Sequence, residues 1–457
     1  MKINFLNGQN LVKQKKFGEA LSIFLNLLKN VDKDKRAYFY LGLIYFELNN
    51  FDKSIFYYKK YLKTYPNSIN TLLNLAIVEQ SLGKPQLAKK IYLKIIDLDN
   101  KKIGPYYGLS ILDINFLNEE HYNSIIQISK NDRIGLYEKS LANFILSKIE
   151  KKKKNYKKEI EYLKMFHLHN FNSNYTYNLS SEFYYKKIIN YHYDKIKFTV
   201  EEKDLKIIED LTPIFIIGLP RSGSTLIESI LTSGSDKIKS CAESHVINMS
   251  ILEQIGSKIY INDFKQNEFI FEINQDEIKK SILKNYEQFK IINNGVKSKF
   301  IDKSLENFLN IEIILKIFPN AKFLHTFRNP ADSVISIYQS MLSELSWAHK
   351  IKDILEYINN YQKIINHFKL KYPKKIMDIN LEKFTHESEN IAEKIYKFCD
   401  LKWNKKNLEF YKRNDLFSKT ISFSQIRNKI SKYDSTKYKP YIDLIKDETK
   451  HNEWLKI

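Results

Sequence analysis

Cysteine is nearly absent. The 457 residues hold two, Cys241 and Cys399, too few for a disulfide framework, so a reducing compartment is expected. Long apolar runs are missing as well. Nothing approaches the roughly 20 residues that span a bilayer, and the longest candidate, around Pro213 to Leu219, is strand-sized. The first residues lack the charged, then apolar, then small-residue layout of a secretory leader. The expected location is cytoplasmic, with no membrane partner. Glycine and alanine are scarce while Lys, Ile, Asn and Tyr are abundant, and this general bias accounts for the formal net charge of +21. The longest basic run, Lys151 to Lys154, follows Glu150 in a helical-looking stretch and reads as a solvated helix face, so no nucleic-acid partner is expected. What is present in quantity is apolar residue, 43% of the chain, enough for real cores in two or three folded units.

A period of 34 residues opens the chain. Gly8, Gly42 and Ala76 share it, as do Ala20, Ser54 and Ala88, and the aromatics Phe24, Tyr58 and Tyr92. Small residues let two helices approach closely, and the aromatic fills the hole between them. Turns are expected at Lys16-Phe17, Asn50-Phe51 and Lys84-Pro85. In the middle copy Tyr38, Leu41, Gly42, Tyr45, Ser54, Tyr58 and Pro66 complete the pattern, which resembles the tetratricopeptide repeat. That resemblance implies a helical solenoid with a protein or peptide partner. Matching weakens after Asp99, but 105–170 still shows helical apolar spacing (Tyr137, Leu141, Phe144, Ile145), consistent with degenerate repeats and a cap. The expected boundaries are 1–170 for the repeats, 171–210 for a helical linker and 211–457 for a second domain. Asn172 to Ser181 is polar and reads as a loop, and Glu201 to Asp210 as a charged helix.

The second domain opens with different chemistry. Pro213 to Gly218 is a β-branched apolar run that reads as a buried parallel strand, followed by Gly218-Leu-Pro-Arg-Ser-Gly223-Ser-Thr225 and a helical stretch to Leu231. Strand, glycine-bearing loop and helix aim backbone N–H groups and a helix N-terminus at an anion. The glycine spacing equals that of a nucleotide-triphosphatase P-loop, yet Ser224 stands where that motif requires lysine, which argues against a kinase or triphosphatase. Arg221 supplies a fixed charge with bidentate geometry instead.

Pro220-Arg221-Ser222-Gly223-Ser224-Thr225 resembles the 5′-phosphosulfate loop of the sulfotransferase superfamily, and repeats fused to such a domain resemble a bacterial group related to tyrosylprotein sulfotransferases. The resemblance implies an all-α repeat solenoid followed by an α/β, P-loop-like, parallel-sheet sulfotransferase domain. It implies 3′-phosphoadenosine 5′-phosphosulfate as donor, with no metal. Arg221, Ser222, Gly223, Ser224 and Thr225 would hold the 5′ end. Phe323 to Arg328, followed by a helix from Asp332, resembles the element whose Arg and Ser hold the 3′-phosphate, here Arg328 and Ser336. Glu243, in Cys241-Ala-Glu-Ser-His245, matches the family's base, and Lys303 the residue that stabilises the leaving phosphate. Ser422 matches a late-loop serine near the sulfuryl group. Thr436-Lys437-Tyr438 resembles an element closing over the nucleotide, which places Lys437 in the cofactor set. Asn380-Leu381-Glu382 departs from the usual Tyr-Glu pair.

The expected reaction is sulfuryl transfer to an acceptor hydroxyl of a protein tyrosine, a glycan or a small molecule. Arg221, Lys303 and the loop N–H groups stabilise charge while Glu243 takes the proton. Two alternatives stay open at this point. His245, two residues on, shares a face with Glu243 in an extended segment and is a second candidate base. A repeat scaffold with a catalytically decayed transferase domain is the other.

Overall fold

The 34-residue period becomes three helix pairs in the structure, a computed structural model that describes residues 5–29, 34–188, 193, 196–198, 211–234, 238–259, 271–289, 291–292, 298–413 and 427–442. The pairs are Phe5–Lys13 with Phe17–Lys29, Ala37–Glu47 with Phe51–Thr64, and Ile69–Ser81 with Pro85–Leu98. Close helix approach is what the small residues provide. A Cβ on Gly42 would lie 2.5 Å from the Tyr58 ring, and one on Gly8 would lie 2.8 Å from Phe24. Ser54 Oγ donates to the Gly42 carbonyl at 2.7 Å, fastening the same crossing. The second helices begin at Phe17, Phe51 and Pro85, at the expected turns, and Asn50 caps its helix by accepting from Lys53 N. Each turn also carries one left-handed residue, Lys15 (φ 58°), Asn49 (φ 58°) and Gly83 (φ 71°), again 34 apart. Helices Ile103–Leu112, Glu119–Lys130, Leu136–Lys152 and Tyr156–Ser173 continue the pattern. Leu141, Phe144 and Ile145 are buried as their spacing predicts, whereas Tyr137 faces outward.

The first compact unit runs through His169 and the second begins at Asn170. Asn172 to Ser181 corrects the sequence reading. It is largely helical (Tyr175–Phe183), and the Asn178 amide donates to the Phe171 carbonyl at 2.8 Å, so a polar residue is consumed inside the unit. The helix expected over Glu201 to Asp210 lies outside the described residues.

Seven strands are described in the second unit: β1 (Ile196–Phe198), β2 (Leu211–Gly218), β3 (Lys239–Ser240), β4 (Phe271–Ile273), β5 (Ser298–Asp302), β6 (Lys322–Phe327) and β7 (Ile376–Asn380). β1 and β4 pair in parallel as a small separate sheet. The main sheet has the order β3-β5-β2-β6-β7, every pair parallel. The apolar run from Pro213 to Gly218 is therefore the middle strand, buried on both faces, with Phe215 stacked on Phe323 at 5.4 Å. Phe215 pairs with Asp302 and Gly218 with Thr326, so β2, β5 and β6 finish at one edge and their following loops converge there. Ligand sites of parallel sheets lie at that carboxyl edge.

Candidate active site

The loop after β2 is shaped by its neighbour. Gly218 sits at φ +144°, and a Cβ there would lie 2.2 Å from the Thr326 carbonyl oxygen of β6, so only glycine fits. Ser222 Oγ donates to the Leu219 carbonyl at 2.7 Å and lies 2.7 Å from Thr326 Oγ1. Its hydroxyl thus closes the loop against β6. Arg221 (φ 68°) and Gly223 (φ 92°) are left-handed, and Gly223 caps the helix Ser224–Leu231, whose first turn contains Ser224 and Thr225. The opening N–H groups of such a helix lack intrahelical partners and favour an anion.

After β5 comes a buried lysine. Lys303 is fully enclosed, with Nζ 2.7 Å from Glu243 Oε1 and 3.5 Å from Glu228 Oε2. Burial opposes the ammonium, but the two carboxylates outweigh it and hold the Lys303 pKa above the ordinary lysine value. Glu228, on the phosphate-loop helix, accepts from Ser240 Oγ at 2.5 Å through its other oxygen. The segment carrying Glu243 is laced to β5: Cys241 N donates to the Ile301 carbonyl (3.0 Å) and Lys303 N to the Ala242 carbonyl (2.9 Å). Asp302, itself buried, anchors both chains by accepting from Tyr286 OH (2.7 Å), Ser244 Oγ (3.1 Å) and Ser304 N (2.8 Å). Burial raises the Asp302 pKa in spite of these bonds. His245 turns to a different partner, its Nδ1 against Glu306 Oε1.

The loop after β6 forms a second basic seat. Asn329 caps the helix Pro330–Tyr338 by accepting from Ala331 N (2.9 Å) and Asp332 N (3.3 Å), which brings Ser336 onto its buried face. Arg328 is 8% exposed; its Nη2 donates to the Asp332 carbonyl at 2.7 Å, and its Nε has no hydrogen-bond partner among the described residues. The guanidinium lies 5.3 Å over the Tyr438 ring, and Arg328, Lys437 and Ser336 all favour the ionised form of the Tyr438 hydroxyl. Burial alone would raise the Tyr438 pKa, but Arg328, Lys437 and the Ser336 bond overcome it and bring the pKa down to about 8. Lys437 is exposed, its Nζ 5.2 Å above the same ring.

Arg221 ties the two seats together. Burial lowers its pKa, Arg328 lowers it further, and Tyr438 and Glu243 oppose the fall. A half-buried and a buried guanidinium that repel each other beside a helix N-terminus suit an anionic ligand, which is the fit a bisphosphorylated nucleotide would need. The structure therefore brings Arg221, Ser222, Gly223, Ser224, Thr225, Glu243, Lys303, Arg328 and Ser336 to one edge of the sheet. Ser422 lies outside the described residues. Asn380 serves as the cap of helix Leu381–His386, and Glu382 Oε1 accepts from Asn329 N at 2.6 Å, so this departure from the family pattern still supports the Arg328 loop. Sequence reasoning missed Glu228 and Ser240. The signal was a single acidic residue inside the otherwise apolar and hydroxyl-bearing helix STLIESIL.

Comparison with known proteins gives a consistent picture. Residues 213–405 match the Sulfotransferase family and residues 36–68 the Tetratricopeptide repeat. An uncharacterized protein of Aquifex aeolicus (strain VF5) is 25% identical over 399 residues, covering 82% of this chain and 49% of that one. A tetratricopeptide repeat-containing protein of Methanocaldococcus jannaschii is 37% identical over 76 residues, 16% of this chain and 24% of that one. This chain thus spans about half or less of the length of these two relatives. Among solved structures, the sulfotransferase domain of the Synechococcus PCC 7002 olefin synthase is 14% identical, with a TM-score of 0.34, over 50% of this chain and 87% of that one. A sulfotransferase of Mycobacterium tuberculosis H37Rv is 11% identical, with a TM-score of 0.31, over 73% of this chain and 98% of that one. The architecture is an all-helical, tetratricopeptide-repeat-like region followed by a parallel-sheet domain, most of which falls within the residues that match the Sulfotransferase family.

Proposed function

We propose that this chain transfers a sulfuryl group from 3′-phosphoadenosine 5′-phosphosulfate to an acceptor hydroxyl. The observation that carries the reading is the meeting of three loops at one sheet edge: the Arg221 phosphate loop, the Glu243–Lys303 pair and the Arg328–Ser336 seat. The loop N–H groups and Arg221 would hold the 5′-phosphosulfate, and Arg328 with Ser336 the 3′-phosphate. In the reaction the acceptor oxygen bonds to sulfur as the bond from sulfur to the phosphate oxygen breaks. The leaving phosphate keeps the electron pair, beside Lys303. The acceptor proton passes to Glu243, whose side chain is 42% exposed and so open to an incoming hydroxyl. His245, held by Glu306, does not share this position with Lys303.

The domain limits 1–170, 171–210 and 211–457, and the kinship with the tyrosylprotein group, belong to the same proposal. The repeats would select a polypeptide partner or acceptor. Incubating the full chain and a cell extract with radiolabelled donor tests the reading: label should appear in an acceptor, and adenosine 3′,5′-bisphosphate should bind by calorimetry. A folded chain that binds neither nucleotide nor donor refutes it.

A further inference from the structure

Lys303 is enclosed between two carboxylates, and the proposed chemistry cannot use both in the same way. Glu243 is the half-exposed partner and, on the reading above, takes up the acceptor proton. At that moment it stops being a counter-ion, while charge builds on the leaving phosphate and Lys303 has to be positive. With Glu243 neutralised and charge on the leaving phosphate only partly built, the buried ammonium depends on its other carboxylate. Glu228 stands on the other side of the same Nζ, with its side chain 13% exposed, its carboxylate fixed by Ser240 Oγ, and its backbone in the helix that begins at the phosphate loop. Ser240 Oγ in turn accepts from Ala242 N at 2.9 Å, so the loop bearing Glu243 and the helix bearing Glu228 share one hydroxyl.

We propose that Glu228 is a positioning residue: it is the carboxylate that keeps Lys303 an ammonium ion through the transfer, while Glu243 moves the proton. The inference rests on the sulfotransferase reading of the site. Among the described residues, Lys303 interacts with Glu228 from the helix and Glu243 from the loop after β3; Cys241 lies near Glu228 and Asp302, and Arg221 lies near Glu243. Of these, Glu228 alone is both in contact with Nζ and largely withdrawn from solvent.

The test is calorimetry of adenosine 3′,5′-bisphosphate on the full chain between neutral pH and about pH 10. It is done in a Tyr438→Phe, Glu243→Gln background, so that the Tyr438 hydroxyl does not titrate in the same window and Glu243 does not serve as the counter-ion. With Glu228 present, affinity should hold until close to the upper limit. In Glu228→Gln the alkaline fall should begin at least about one pH unit lower, with affinity near neutral pH changed less than about threefold. Glu228→Asp, which keeps the charge, should restore the original profile. If Glu228→Gln does not fold, Ser240→Ala loosens the same carboxylate and should move the fall in the same direction by less. Binding with an unmoved profile overturns the inference and leaves the functional reading standing. No binding by the unsubstituted chain overturns both.

Discussion

Tyr438 stands at the seat assigned to the 3′-phosphate, where Arg328 lies over its ring and, with Ser336, favours its ionised hydroxyl. Its folded pKa of about 8 lies below the ordinary value near 10, so its ionisation contributes stability that is complete above about pH 10 and is lost as pH falls through about 8. The phenolate would compete with a phosphate for Arg328. Affinity for adenosine 3′,5′-bisphosphate should therefore fall as pH rises through about 8, and Tyr438→Phe should abolish that dependence in a calorimetric pH series. Arg328→Ala should weaken the bisphosphate about tenfold or more, the value of a charge-assisted bond of roughly 1.5–3 kcal/mol, and leave adenosine 5′-monophosphate nearly unaffected. Equal loss for both nucleotides would remove the assignment. For the base, Glu243→Gln should reduce turnover by roughly 10² or more, and His245→Asn by much less, with nucleotide binding kept in both. That PRSGST, Glu243, Lys303, Arg328 and Ser336 come together at one sheet edge was readable, because each lies in the segment following a strand of one parallel sheet. Glu228 was not, because its partners are Lys303, 75 residues on, and Ser240, 12 on, and no local period joins them.

Among the elements, the helix pairs and the middle strand were the most legible. The repeat was read from its side chains, but the left-handed turn residue was not. Lys15, Asn49 and Gly83 share a backbone conformation without sharing a residue type, and only the last advertises it. β3 is two residues long and has no pattern of its own, and the polar stretch after Asn172 was misread because its helix spends an amide on the Phe171 carbonyl. Gly42→Ala tests the packing account directly. Helix propensity favours alanine by about 1 kcal/mol, but the added Cβ would meet the Tyr58 ring at 2.5 Å. Overpacking of that kind costs about 1–3 kcal/mol, so urea denaturation of the repeat region should show a net loss of stability. A gain would mean that the helices sit farther apart than described.

At the scale of the whole molecule, the chain forms two compact units. Every described site residue lies beyond Asn170. A chain starting there should fold and bind adenosine 3′,5′-bisphosphate within about 0.5 kcal/mol of the full chain, as distant parts contribute additively. A well-folded truncation without affinity would show that the repeats take part in nucleotide binding. Both cysteines also fall in this unit. Cys241 Sγ donates to the Ile301 carbonyl at 3.1 Å and burial lifts its pKa well above the ordinary thiol value; Cys399, also buried, is pushed up to about 12. Thiolates are the form that attacks alkylating reagents, so neither sulfur should react while it stays buried and protonated. Each then works as a clock for breathing: iodoacetamide consumption at Cys241, followed by mass spectrometry, times how often the β3 edge swings away from β5, two residues from Glu243.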